Sequence, residues 1–458
     1  MDELRFWKKA CAVFLLCAAA AITSSAQTFT TLANFNGTNG DGPFYMSLVQ
    51  GADGNFYGTT SEGGAIGYGA VFKISSQGAL MTVYSFDSDD GAYPYAGVLL
   101  ATDGNLYGTT YLGGTHYTNG TIFKLTPQGT RTTLYNFDWT NGANPSAALI
   151  QGANGYIYGT TTLGGAVSPG TVFGLTPGGA VATLHSFGIT DGAEPNGGLV
   201  QGANGNLYGT TFYGGANDDG TIFSLTPKGE LTILHSFNLT DGANPYAGLL
   251  LAADGNFYGA SSQGGAYGYG TVFKITPAGA LTTLHSFDGT DGASPYAGLI
   301  QATDGNFYGT TYAGGTQNIG TIYVITQAGA LTTLHSMVNP EGGFPYGGLV
   351  QGTDGNFYGT TDMGGSDGFG TVFKLSVGLG PFVKTLPASG QAGASVAIFG
   401  TDLTGAGSVA FDGMAASFTV VSPSEIITAV PAGATTGTVQ VTTPGGTLSS
   451  NMPFRVLP

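Results

Sequence analysis

One tyrosine returns on a nearly fixed step: Tyr57, Tyr107, Tyr158, Tyr208, Tyr258, Tyr308 and Tyr358, at intervals of 50, 51, 50, 50, 50 and 50 residues. Around each lies a copy of the same unit, for instance GLIQATDGNFYGTTYAGGTQNIGTIYVITQAGALTTLHS at residues 298–336. A period of this size means that each copy is one supersecondary unit and that neighbouring copies bury one another's apolar faces. Within the fifth copy four strand-like runs follow in order: AGLLLAADG, NFYGASSQGG, GTVFKITPAG and ALTTLHSF. An Asp-Gly or Asn-Gly turn joins the first two, a Gly-Gly pair opens the next loop, and a Thr-Pro-x-Gly turn (Thr276, Pro277, Gly279) joins the last two. Each unit is therefore a four-stranded antiparallel meander. Its runs are apolar on alternate residues toward both faces, so both need cover, and stacking as β-propeller blades supplies it. A parallel β-helix has shorter rungs and fewer turn signals.

The strand ending in Phe35, Phe86, Phe137, Phe187, Phe237, Phe287 or Met337 precedes each central tyrosine, and none follows the last copy. One strand is thus left over at the amino end and one is missing at the carboxyl end. The expected fold is all-β: a seven-bladed β-propeller over residues 27–377, closed by the amino-terminal strand, and then a second domain over residues 378–458. Eighty-one glycines and 8% charged residues point toward low complexity, but 12% aromatics and regularly placed Val, Ile and Leu are enough for a packed core.

Residues 1–26 read as a secretory signal peptide. Arg5, Lys8 and Lys9 precede an apolar run from Ala10 to Ile22, with Ser24, Ser25 and Ala26 at the cleavage end. The run is shorter than the roughly 20 residues of a membrane span, and no later stretch is a better candidate. Both cysteines, Cys11 and Cys17, lie in this segment, so the mature chain has no disulfide and no thiolate metal site. Without the segment 8 basic and 25 acidic residues remain, a formal charge of −17. That charge repels polyanions and argues against nucleic acid as a partner.

The order PYAGLIQATDGNFYGTT followed by GTIYVIT is similar to the NHL-type propeller blade. The YGTTxxGG and GTxF elements resemble more closely the GloVer tandem repeat of secreted bacterial proteins, over about residues 28–376. This resemblance implies an exported or surface propeller with a variable carboxyl-terminal module and no established reaction. From about Gly378 the period stops. Pro387, Gly390, Gly393, Val396, Ile398, Gly400, the Phe411 to Gly413 turn, Val430-Pro431, Gly437 and Gly445-Gly446 resemble an IPT/TIG domain, an immunoglobulin-like sandwich. Its only basic residues are Lys384 and Arg455, which favours a spacer or adhesive role over nucleic-acid binding.

A functional site in such an array needs residues that converge. On the inner strand Gln50, Gln151, Gln201, Gln301 and Gln351 share one position, with Leu100 and Leu251 completing the seven. These are candidate channel-lining residues. Loops between the second and third strands emerge on the same face as the crossovers to the next blade. That face collects Tyr68, Tyr111, Tyr213, Tyr269 and Tyr312, and, after the crossover prolines, Tyr95, Tyr246, Tyr296 and Tyr346. Asp90, Asp191, Asp241 and Asp291 flank them. Tyrosines beside carboxylates suit saccharides, the ring covering C–H faces and the acid accepting hydroxyl hydrogen bonds.

His185, His235, His285 and His335 share an outer-strand position, so they do not meet and are expected as polar residues on a solvated edge. The acids at Asp87, Asp89 and Asp90 and at Asp218 and Asp219 are too few for calcium, and no metal or other cofactor is expected. No HExxH motif and no nonrepeating acid–base set appears. Glu62, Glu194 and Glu341 are the least repetitive acids. The sequence thus points to an exported, monomeric, noncatalytic binding or adhesion protein whose loop face takes a polysaccharide or a surface protein. A carbohydrate-active hydrolase or lyase and a structural envelope spacer are the alternatives.

Overall fold

The computed structural model describes residues 27–457, and the expected signal segment lies outside the described residues. All regular structure among these residues is β-strand. Residues 28–376 form seven four-stranded antiparallel sheets that resemble propeller blades. In the fourth, Val200–Gln201, Leu207–Thr211, Thr221–Leu225 and Leu231–Ser236 pair in chain order.

The tyrosine that sets the period ties down the first hairpin. Gly202 N–H donates to the Asn206 carbonyl at 2.8 Å, and only Gly205, at φ 84°, is left-handed. The turn is thus a type I turn followed by a glycine bulge, with the left-handed burden on the glycine alone. Asn204 then donates to the Tyr208 hydroxyl at 3.0 Å. In the Asp-bearing copies the tyrosine donates instead, as from Tyr358 to Asp354 at 2.7 Å.

Tyr-Gly-Thr-Thr needs its glycine for a steric reason. Gly209 pairs with Phe223, and a Cβ there would lie 2.6 Å from the end of that ring. The second threonine meets its partner on the third strand, Thr211 to Thr221, at 2.8 Å between buried hydroxyls. Each outermost strand carries a bulge that admits one extra residue. In the fourth blade Ile222 pairs with His235 and Phe223 with Ile233.

The amino-terminal strand, Thr28–Asn34, pairs antiparallel with Thr371–Ser376 as the outermost strand of the seventh sheet. It has the same bulge: Val372 pairs with Ala33 and Phe373 with Thr31. The first and seventh blades then meet as other neighbours do. Phe56 stacks on Tyr358 at 4.0 Å, as Phe257 packs on Tyr208 at 4.2 Å. Phe35, Phe56 and Phe72 share one buried cluster with Tyr358 and Val372.

The second domain is a sandwich. One sheet orders Lys384–Leu386, Ser395–Phe399, Glu425–Ala429 and Phe418–Ser422, and the other Met414–Ala416, Ser408–Phe411, Val439–Thr443 and Gly446–Ser449. Val396, Ile398, Phe411, Ile426, Val441 and Phe454 fill its core. It rests on the hairpin end of the blades. Ser424 Oγ donates to the Ala52 carbonyl at 2.6 Å, Phe382 N–H to the Thr353 carbonyl at 3.0 Å, and Lys384 Nζ to the Gln351 carbonyl.

Candidate functional site

On the end opposite the sandwich, the crossovers bring tyrosines together. The path is set locally: Gly242, at φ 132°, presses onto Ser261, where a Cβ would lie 2.4 Å from the hydroxyl. Asn244 is left-handed at φ 52°, and Pro245 then delivers Tyr246. Tyr95, Tyr246, Tyr296 and Tyr346 are all half-buried. Tyr296 stacks on Tyr346 at 5.1 Å and sits edge-on to Tyr246 at 5.5 Å. Tyr312 adds a contact of 4.3 Å to Tyr346, and Tyr111 one of 4.8 Å to Tyr95. Tyr213 lies further out. It is exposed and reaches the group only through Phe212, 4.6 Å away.

Tyr45 is the residue that sequence reasoning missed. It stacks on Tyr246 at 4.4 Å and meets Tyr346 at 4.8 Å and Tyr95 at 6.3 Å, so it joins the first, second, fifth and seventh blades. Its place one repeat before Tyr95 was the available signal, disguised because Pro43 and Phe44 shift the proline by one residue. Burial pushes the Tyr45, Tyr246 and Tyr346 hydroxyls well above the usual phenol range.

The third and fourth blades carry Ser146 and Asn196 at the tyrosine position, leaving a polar gap in the aromatic group. Asn196 Oδ1 accepts from Ser146 at 3.2 Å and from Thr162 at 3.1 Å. Glu194, two residues before Asn196 and left-handed at φ 53°, stands near enough for its charge to raise Tyr111 and Tyr246 further. Burial raises its own carboxyl. The combination offers aromatic faces, phenol hydroxyls and one carboxylate around a polar gap.

The flanking aspartates are placed otherwise than expected. Asp241 Oδ2 lies 2.9 Å from His235 Nε2 and its Oδ1 accepts Asn238 N–H at 3.2 Å. Asp291 repeats this with His285 at 2.7 Å and Asp288 N–H at 3.0 Å. Both carboxylates fasten the outermost strand to the next crossover. The histidines correct the expectation of a solvated edge in the same way: His185 pairs with Asp191 at 3.1 Å and His335 with Glu341 at 2.9 Å, each histidine side chain under a quarter exposed.

Asp87 Oδ1 accepts the Asp89 and Asp90 amides at 3.1 and 2.9 Å, an Asx-turn. The string Gly364-Gly365-Ser366-Asp367-Gly368 spells GxSxG, but Ser366 sits in an exposed loop, where its hydroxyl donates to its neighbour Asp367 at 3.0 Å. It has no nucleophile elbow around it.

The inner-strand glutamines bridge blades. Gln201 Oε1 accepts Ala153 N–H at 2.9 Å and its Nε2 donates to the Gly205 carbonyl at 3.0 Å. Gln151, Gln301 and Gln351 accept from Thr102, Ala253 and Thr303 at 2.9 to 3.1 Å, and Gln50 accepts Thr353 N–H of the seventh blade at 3.0 Å. Each thus accepts a backbone N–H of a neighbouring blade, a structural task at the positions taken for channel lining.

Residues 19–219 and 196–417 match the Gloeobacter/Verrucomicrobia repeat. The chain belongs to this repeat family. Its carboxyl-terminal residues 382–456 match the IPT/TIG domain. No curated protein gives a match. Among solved structures this family member is similar to the extracellular domain assigned to the hybrid two component system BT3049 from B. thetaiotaomicron. The two are 13% identical over 94% of this chain, with a TM-score of 0.52, and the chain spans 58% of that one. The corresponding domain of BT4673 from the same organism gives 13% identity, 95% and 59% coverage and a TM-score of 0.52. The periplasmic gluconolactonase PpgL of Pseudomonas aeruginosa is 16% identical over 71% of this chain and 97% of that one, with a TM-score of 0.45. At these identities the first two likenesses concern the fold alone.

Proposed function

We propose that the seven blades close into a seven-bladed β-propeller and that the chain is an exported, noncatalytic binding protein whose loop face holds a polysaccharide. The pairing of Thr28–Asn34 with the last repeat and the contacts between first and seventh blades support closure. Export is supported by the character of residues 1–26 and by likeness to extracellular domains. The reading of the site rests on one observation: five half-buried tyrosines from one repeat position gather beside the polar gap at Glu194, Ser146 and Asn196. Aromatic faces hold the C–H sides of sugar rings while the Glu194 carboxylate accepts hydroxyl groups.

The test is retention of the purified protein on a panel of immobilised polysaccharides, with assay for new reducing ends. Retention without cleavage, weakened by Tyr246→Ala or Glu194→Gln, supports the proposal. Absence of retention on every glycan removes it. Cleavage supports a second reading, a carbohydrate-active hydrolase, which is favoured by one site: Asp362, beside Asp41 and Glu62, has its carboxyl raised to about 6 by burial and by those two charges. That value suits a general acid, and loss of cleavage on Asp362→Asn would establish it.

A further inference from the structure

Between the sandwich and the inner-strand hairpins of the second to fifth blades lies a cavity of about 1290 Å³. It is at the end of the blades away from the tyrosines, and it exceeds the roughly 300–1,000 Å³ of ordinary small-molecule sites. Its blade wall includes both positions that break the glutamine pattern, Leu100 and Leu251. Glutamine at those positions elsewhere bonds a neighbouring backbone, and leucine leaves an apolar surface in its place. The sandwich contributes Leu386, Phe399 and Ile427 across from them. At these positions the two walls face each other with apolar side chains.

The cavity has one cation, Arg455, contributed by the last strand of the sandwich. Its Nε is buried and has no hydrogen-bond partner, and its Nη1 reaches only the Gly202 carbonyl, at 3.5 Å. A buried guanidinium N–H left without an acceptor is costly, and a planar anion is its best complement. Of the two carboxylates in the lining, Asp103 is held by Lys124 at 2.8 Å. The other, Glu425, is shifted by burial toward its neutral form.

We propose that this cavity binds a small amphiphile with one anionic head group, the head on Arg455 and the apolar body between Leu100, Leu251 and Phe399. The sandwich is then one wall of a binding site, beyond any role as a spacer. Neutral apolar molecules of the same length fit the walls but leave Arg455 unpaired, so they bind more weakly.

The experiment titrates the full mature chain with decanoate and with decan-1-ol by calorimetry at pH 7. Decanoate is expected to saturate one site and to bind about tenfold more tightly than the alcohol, the order of one charge-assisted hydrogen-bond pair. Arg455→Met is expected to remove that preference while leaving the alcohol unchanged. Leu251→Gln, which installs the residue of five other blades and keeps the fold, is expected to weaken both ligands. If Arg455→Met does not fold, the acid-over-alcohol preference and its loss of affinity in Leu251→Gln carry the test. No saturable decanoate binding, equal affinity for acid and alcohol, or indifference to Leu251→Gln overturns the proposal.

Discussion

Phe29 lies flat on His335, with 4.1 Å between ring centres and 6° between planes. Its other side is 5.1 Å from Phe373. One half-buried residue on the amino-terminal strand thus touches the outermost strand of the sixth blade and the third strand of the seventh. Replacing Phe29 by Ala removes both contacts, and because the ring is not fully buried the expected loss is about 1–3 kcal/mol of unfolding free energy. Deleting residues 28–35 takes the whole strand and buried Phe35 with it, so urea unfolding should lose cooperativity across all seven blades. A deletion that unfolds at the same urea concentration as the intact chain would separate the first strand from the stability of the array.

Tyr323 occupies a position that is phenylalanine in the other six blades, and its hydroxyl is buried without a hydrogen-bond partner. It lies over Gly309, where a Cβ would be 2.5 Å from the hydroxyl oxygen. Nothing in the surrounding side chains explains the choice of tyrosine. Tyr323→Phe should therefore stabilise the protein, by about 1 kcal/mol, since an unsatisfied buried hydroxyl costs that much or more. Thermal and urea melts of the variant check it, and a drop in stability would reveal a partner for the hydroxyl.

The sequence period made the blades legible because each copy repeats the steric problem at Gly209 and Phe223 and the hairpin cap at Asn204 and Tyr208. Local chemistry repeated seven times leaves little freedom. The leftover amino-terminal strand was legible by counting, and its shared bulge fits that count. The site was less legible. Spacing identified Tyr95, Tyr246, Tyr296 and Tyr346 but not which way Asp241 and Asp291 turn, because the choice depends on His235 and His285 six residues upstream. Tyr45 escaped because the proline beside it is displaced by one residue. The sandwich was recognisable from its own residues, whereas the cavity under it arises from two domains meeting, and its trace in the repeat is the break in the glutamine pattern at Leu100 and Leu251.

Asp362 supplies a pH dependence with a definite sign. Its carboxyl is raised from 3.8 to about 6, chiefly by burial and then by Asp41 and Glu62. A group whose folded pKa is raised stabilises the fold fully below its unfolded value and loses that contribution as pH rises through the folded value. At pH 7 Asp362 is therefore a burden. Asp362→Asn should stabilise the protein at pH 7 by about 1–2 kcal/mol, a figure reduced for its partial exposure. The advantage should shrink through pH 6 and vanish near pH 4. Parallel urea titrations of both proteins measure the difference, and a gap that stays constant with pH would remove Asp362 as its source.

Lys384 places an opposite dependence at the contact between sandwich and blades. Burial lowers its ammonium from 10.5 to about 8, against a smaller upward pull from Asp354, while Nζ donates to the Gln351 carbonyl. A lysine with a depressed pKa releases its proton in the docked state first. Docking therefore gains as pH rises through about 8 and reaches its full strength above the undocked value, so the contact is weaker at pH 7 than at pH 10. Above pH 10 a separate effect enters, on unfolding of the blades themselves: the buried hydroxyls of Tyr45 and Tyr346 stay protonated in the fold while unfolded phenols ionise. The informative window is pH 8 to 10. Over that window proteolytic cleavage within residues 377–381, which join the two domains, should slow in the unmodified protein. In Lys384→Met it should be independent of pH, because the variant has no ammonium to discharge. Equal slopes for the two proteins would mean that another group at the contact titrates there.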